Sequence, residues 1–237
     1  MQAALRHLSL MPLADWLGLL LFFAGWVGYA RFAKRRAQQR GSLLAISNAV
    51  RRRWMLQLTY REVRVLDGTV SHSLLSSPSF FASTTILIIG GLLAALGAGE
   101  QTSAMVRELP FTVNTSTVVF DLKLVLLVGI FVYAFFRFTW SMRQYSFGSL
   151  LIASCPEAQQ FETQDLSREA FADRAGRVMG LAAEAFNDGL RAYYLAFAMV
   201  AWFFSPWAYM LATLGVIYVL FQREFHSEVL DALRQDL

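Results

Sequence analysis

The sequence predicts an all-α fold, a polytopic membrane protein of four transmembrane helices with two amphipathic cytoplasmic helical segments. Two observations lead there. Hydrophobic residues make up 56 % of the chain and charged residues only 16 %, where soluble domains carry about 25 % charge. The charges are also unevenly spread, thinning out in four long windows and crowding between them. Such clustering marks spans and loops, and it places residues 1–237 in one four-span domain.

The first window, residues 13–32, has the length a ~30 Å hydrocarbon core requires. Only Arg6 precedes it, while Arg31, Lys34, Arg35, Arg36 and Arg40 follow, which reads as a retained anchor with its N-terminus outside. The second, residues 80–99, carries no charge. The third, residues 118–138, holds Asp121 and Lys123 at one end and Arg137 at the other. The fourth, residues 193–221, is uncharged and over-long for a single crossing. It reads as one tilted helix kinked at Pro206, whose missing N–H frees a carbonyl one turn earlier for Ser205, a neighbouring helix or water to satisfy. Trp202 and Trp207 are expected to pack around the kink. Pro12 and Pro78 sit where spans one and two would begin.

Orientation follows from the loops, because Lys and Arg accumulate on the cytoplasmic side. Residues 31–79 are rich in Arg, the short second connection balances Arg107 against Glu100 and Glu108, and Arg143 follows span three. The expectation is a bacterial inner (cytoplasmic) membrane protein with both termini non-cytoplasmic.

Two cytoplasmic stretches look helical. In 42–77, Leu43, Ile46, Val50, Trp54, Leu58 and Val65 recur at spacings of three, four or seven; in 166–192, Phe171, Ala175, Val178, Ala182, Phe186 and Leu190 do the same. Each stripe needs burial, and the Ala/Phe character of the second favours helix–helix packing. With no proline before span four, the second stretch should run straight into it, capped by Asp165 or Ser167.

Several constellations are candidates for function. Gly90, Ala94 and Ala98, with Gly91 and Ala95 in the adjacent row, form a small-residue face on span two that suits close helix packing or self-association. Span one carries similar pairs at Ala14/Gly18 and Ala24/Gly28. Asp15, Asp121, Lys123, Ser83, Thr84 and Thr85 form a candidate intramembrane polar site, with Lys123 pairing with Asp15 or Glu100. Lys34, Arg35, Arg36, Arg51, Arg52 and Arg53 suit anionic headgroups on the cytoplasmic side.

Other chemistries find no support. Cys155 is the only cysteine, so no Cys-based metal site or intrachain disulfide is available. His7, His72 and His226 all lie outside the spans, and no protease or hydrolase motif is present. No catalytic residue, metal site or cofactor is assigned, nor is nucleic acid a partner, since the arginines sit beside apolar spans without a recognition motif. The expected partners are the bilayer and the chain itself. The leading reading is a non-enzymatic, self-associating scaffold or accessory subunit, and the alternative is a small homo-oligomeric channel or transporter.

Several strings together, Arg53-Trp54-Met55, the run from Phe80 to Gly91, Leu109-Pro110-Phe111 and the run from Phe131 to Ser141 continuing into Arg143-Gln144-Tyr145, resemble a bacterial membrane-protein family catalogued as domain of unknown function 599. The resemblance covers residues 16–225. It implies a polytopic inner-membrane protein and brings no activity or site residue with it.

Overall fold

The computed structural model describes residues 11–40, 42–99 and 116–234. Among these the fold is entirely helical: α1 (Leu13–Arg40), α2 (Leu43–Leu58), α3 (Val65–Gly97), α4 (Thr117–Ala153), α5 (Ala158–Thr163), α6 (Arg168–Val200), a 3-10 turn (Ala201–Phe203), α7 (Pro206–Phe225) and α8 (Glu228–Arg234). The second connection, with Glu100, Arg107, Glu108 and Leu109-Pro110-Phe111, lies outside the described residues, as do Arg6 and His7. The chain forms two compact units. One gathers Met1–Arg35, Thr85–Ala134 and Leu190–Arg223, and the other Arg36–Thr84, Phe135–Gly189 and Glu224–Leu237.

Three helices are long and apolar enough to cross a membrane, namely α1, α3 and α4. The chain is thus a helical membrane protein, with three such helices and not the four expected. The fourth window does not form one helix. α6 ends at Val200, and Ser205 restarts helix formation by accepting hydrogen bonds from the backbone N–H groups of Trp207 and Ala208. Pro206 follows as the first residue of α7. A serine cap followed by proline is a helix start, because that proline's missing N–H would have had no partner there anyway.

The two arms then run in opposite directions. Along α1, Arg191 lies over Tyr29 while Trp202 reaches Asp15, so the end of α6 runs antiparallel to α1. On α7, Tyr209 packs at Gly18, Ile217 at Gly25 and Phe221 against Phe32, so α7 runs parallel to α1. The expected kinked crossing is therefore a helical hairpin whose tip is Phe204-Ser205-Pro206. A Cβ at Gly18 would stand 2.9 Å from Tyr209 Cδ1, and one at Gly25 would stand 2.7 Å from Ile217 Cδ1. Glycine is what lets α7 lie this close. Of the small-residue pairs expected on span one, Gly18 serves here, while Gly28 faces no neighbour within 4 Å.

The second unit is built on α2, the first half of α3, the second half of α4, α5 and most of α6. Its core unites Met55, Leu58, Tyr145, Ile152, Phe161, Phe171, Ala175, Met179 and Ala182. Of the stripe expected on α6, Phe171, Ala175 and Ala182 are buried while Val178, Phe186 and Leu190 are half-buried, and the one expected in 42–77 also holds only in part. Leu58 is buried, whereas Val50 and Val65 are exposed and Met55 takes their place. Nor is 42–77 one helix. The chain breaks after α2, and 65–77 belongs to α3, which carries Pro78 inside it. Three arginines hold the break: Arg61 pairs with Asp67, Arg64 donates to the carbonyls of Cys155 and Pro156, and Arg168 donates to those of Thr59 and Ala158. As expected from the absence of proline, α6 runs unbroken from Arg168 to Val200, and Ser167 caps it through the Ala170 N–H. Asp165 instead adopts a left-handed turn at φ 51°.

Close approach in this unit rests on a row missed in the sequence, Ala172-x3-Gly176-x3-Gly180. A Cβ on Gly176 would fall 2.9 Å from the Arg52 backbone, and one on Gly180 would fall 2.9 Å from Asn48 Oδ1. The unit is completed from the far end of the chain, where α8 lies against α2 and Phe225 lies under the Arg36 guanidinium.

Candidate functional site

The only charged side chains buried within the membrane-spanning stretches of the first unit meet at the hairpin tip, as far as the described residues go. Lys123 on α4 is 3 % exposed and Asp15 on α1 is 2 % exposed. They do not meet as a simple pair, because Trp202 stands between them. The Lys123 ammonium donates to the Trp202 carbonyl at 2.8 Å, and the Trp202 indole N–H donates to Asp15.

The geometry has a backbone cause. An α-helical carbonyl is satisfied by the N–H four residues on, and four residues after Trp202 comes Pro206, which has none. Lys123 supplies the missing donor from a neighbouring helix, one of the three routes open in the sequence. The ammonium also lies 5.0 Å from the Trp202 ring centroid and 5.8 Å from that of Phe203, within cation–π range, at a helix C-terminus where positive charge is favoured. Asp15 sits in the first turn of α1, where negative charge is favoured. An aromatic plug seals the cluster. Trp202 stacks on Tyr209 at 5.1 Å, Tyr209 contacts Phe22, and all three are fully buried. Trp207, expected to join them, is 69 % exposed instead.

The other candidate polar residues are dispersed. Thr85 bonds the Tyr193 hydroxyl at 2.7 Å, both buried. Thr84 donates a hydrogen bond to the Phe80 carbonyl one turn back, and Ser83 is exposed. Asp121 faces away from Lys123, as the two-residue spacing requires, and its buried Oδ1 has no hydrogen-bond partner among the described residues. The six residues offered as one site are thus brought together only at Asp15 and Lys123.

The basic clusters also divide. In the second unit Arg52 pairs with Asp173, and Arg51 donates to Asn48 and is held below its ordinary pKa by burial. Arg53, Lys34 and Arg35 are exposed. Cys155 is buried, and desolvation raises its thiol above the ordinary range despite Arg64 and Arg168 nearby. Among the described residues no three His, Cys, Asp or Glu side chains converge as metal ligands would.

The small-residue face of α3 has no partner in the described chain. A Cβ built at Gly90, Gly91 or Gly97 meets nothing within 4 Å, and Ala94 and Ala98 are exposed. The hairpin tip ties α1, α4 and the end of α6 together, bridging two buried charges of opposite sign through the carbonyl and the indole N–H of Trp202.

A family model described as protein of unknown function, DUF599, matches residues 17–229. The chain belongs to that family. Its match takes in both units and the whole hairpin, from Leu17 to Val229. No curated protein matches the chain, and no solved structure does.

Proposed function

We propose that this member of DUF599 is a non-enzymatic membrane protein that self-associates and acts as a scaffold or accessory subunit in a bacterial cytoplasmic membrane. The observation that carries the reading is the bare face of α3, where Gly90, Gly91, Ala94, Gly97 and Ala98 lie against nothing in the described chain. Small residues let a second helix approach closely, which matters in lipid because apolar surface alone gives helices no reason to pair. A channel or transporter has less support. Its path would need polar groups at successive depths, and Asp15, Lys123 and Thr85 are each taken up by a partner inside the unit.

The orientation we propose puts the N-terminus outside and residues 31–79 and 139–192 inside, by their arginines. The C-terminus lies on that inner side too, replacing the outer placement a single fourth crossing implied. The hairpin reversal supports this, as does the packing of α8 on α2. Arg35, Arg53 and Lys34 then meet anionic headgroups.

Disulfide crosslinking in native membranes tests self-association. Ala94→Cys should give a covalent dimer on mild oxidation, while Leu211→Cys, 71 % exposed on α7, should not. Monomer alone at Ala94→Cys, with substrate flux in liposomes that Thr85→Ala abolishes, would favour the conduit.

A further inference from the structure

The two arms of the hairpin leave a groove of about 380 Å³ between them, lined by Tyr194 and Ala198 of α6 and by Ala212, Gly215 and Val219 of α7. Its walls are almost wholly apolar, and its surroundings are too: Phe197, Leu211 and Leu214 are all exposed on the same unit. Gly215 opens onto empty space, since a Cβ placed there would meet nothing within 4 Å. One end differs. There Arg223 donates to the hydroxyl of the lining residue Tyr194 at 2.6 Å and lies over its ring.

We propose that this groove binds an anionic glycerophospholipid, one acyl chain between the arms and the phosphate on Arg223 and Tyr194. The match is in the polarity of the groove, apolar along its length and cationic at one mouth. Arg223 pairs with no carboxylate among the described residues, and four of its five N–H donors remain for an anion after the bond to Tyr194. The Tyr194 oxygen accepts that bond, so its own O–H is left to donate to a phosphate oxygen. A guanidinium fork suits phosphate better than an ammonium does, and charge-assisted bonds of this kind are the stronger ones. The inner-side placement of Arg223 rests on the orientation proposed above and on the hairpin reversal, not on self-association.

Native mass spectrometry of the delipidated protein tests this by titration with phosphatidylglycerol and with phosphatidylcholine of the same chains. One phosphatidylglycerol should be retained per chain in preference to phosphatidylcholine. Arg223→Gln should weaken it about tenfold or more, the loss of a charge-assisted contact. Gly215→Leu, whose Cβ meets no neighbour within 4 Å and whose side chain occupies the groove, should lose both lipids while keeping the helical circular dichroism and melting temperature of the parent. Equal retention of the two lipids, or unchanged binding in Arg223→Gln, would overturn the proposal. So would a Gly215→Leu variant that changes oligomeric state with lipid uptake intact, because the groove would then belong to a second copy.

Discussion

Replacing Lys123 with Met keeps the bulk of the side chain and removes its donor. Two costs follow. The Trp202 carbonyl, already deprived by Pro206 of its helical partner, is left buried without a hydrogen bond, at about 1–3 kcal/mol. Asp15, 2 % exposed, is left buried without its cation, and breaking a buried pair from one side costs about 3–5 kcal/mol. The two overlap, since one ammonium serves both, so the net expectation is about 3–5 kcal/mol. That is a fall of roughly two to three and a half decades in the folded-to-unfolded ratio at about 1.4 kcal/mol per decade. Reversible unfolding in mixed detergent–SDS micelles, followed by tryptophan fluorescence, reads it directly. Asp15→Asn combined with Lys123→Met should cost less than the sum of the single changes, because it removes both buried charges together. A Lys123→Met protein within about 0.5 kcal/mol of the parent, the usual scatter of a neutral change, would refute the reasoning that Lys123 satisfies the hairpin tip.

Other expectations concern separate parts of the fold. Gly18→Leu should destabilise by about 1–3 kcal/mol, since its Cβ meets Tyr209, whereas Gly28→Leu, facing no neighbour, should be near neutral; equal effects on the melting temperature would contradict the approach of α7 to α1. Leu58→Ala should cost about 2–5 kcal/mol in the same unfolding assay, as a fully buried member of the second unit's core; a change under about 1 kcal/mol would mean that core is not formed as described. Cys155 should react with iodoacetamide at about pH 8, just below the pKa of a free thiol, far more slowly than free cysteine. Its raised thiol pKa keeps the thiolate scarce until the pH rises further, and burial blocks access. Labelling at the free-cysteine rate in the folded protein would contradict this.

Much of the architecture was legible in the sequence. Spans one to three follow from apolar runs near the length of a bilayer whose few charges lie close to their ends, and α6 from its Ala/Phe stripe and the lack of proline. The fourth span misled because 29 uncharged residues fit a long tilted helix as well as a short hairpin. The signal that separates them was present, since Ser205-Pro206 is a helix start inside an apolar run. The break at residues 59–64 had no such signal, for it contains no Gly or Pro. It is set by contacts distant in sequence, chiefly Arg64 and Arg168. At the site, spacing identified Asp15 and Lys123 as partners at similar depth. It did not identify Trp202 as the bridge, because only the reversal of the chain brings that indole between them. Small-residue spacing likewise announces close approach without naming the partner. On Gly18 that partner is Tyr209, on Gly176 it is α2, and on Gly90 the described chain offers none.

The reversal at Phe204-Ser205-Pro206 underlies the Lys123–Trp202–Asp15 cluster, the groove and the proposed orientation alike, and the side of the membrane that holds the C-terminus tests it most directly. Single cysteines placed at Leu13, Val63 and Val229, all well exposed, are to be labelled with a membrane-impermeant maleimide in vesicles of known sidedness. The hairpin predicts that Val63→Cys and Val229→Cys label together from the inner face while Leu13→Cys labels only from the outer face. Val229→Cys labelling with Leu13→Cys would mean that the chain crosses once more after α4, and that no hairpin exists.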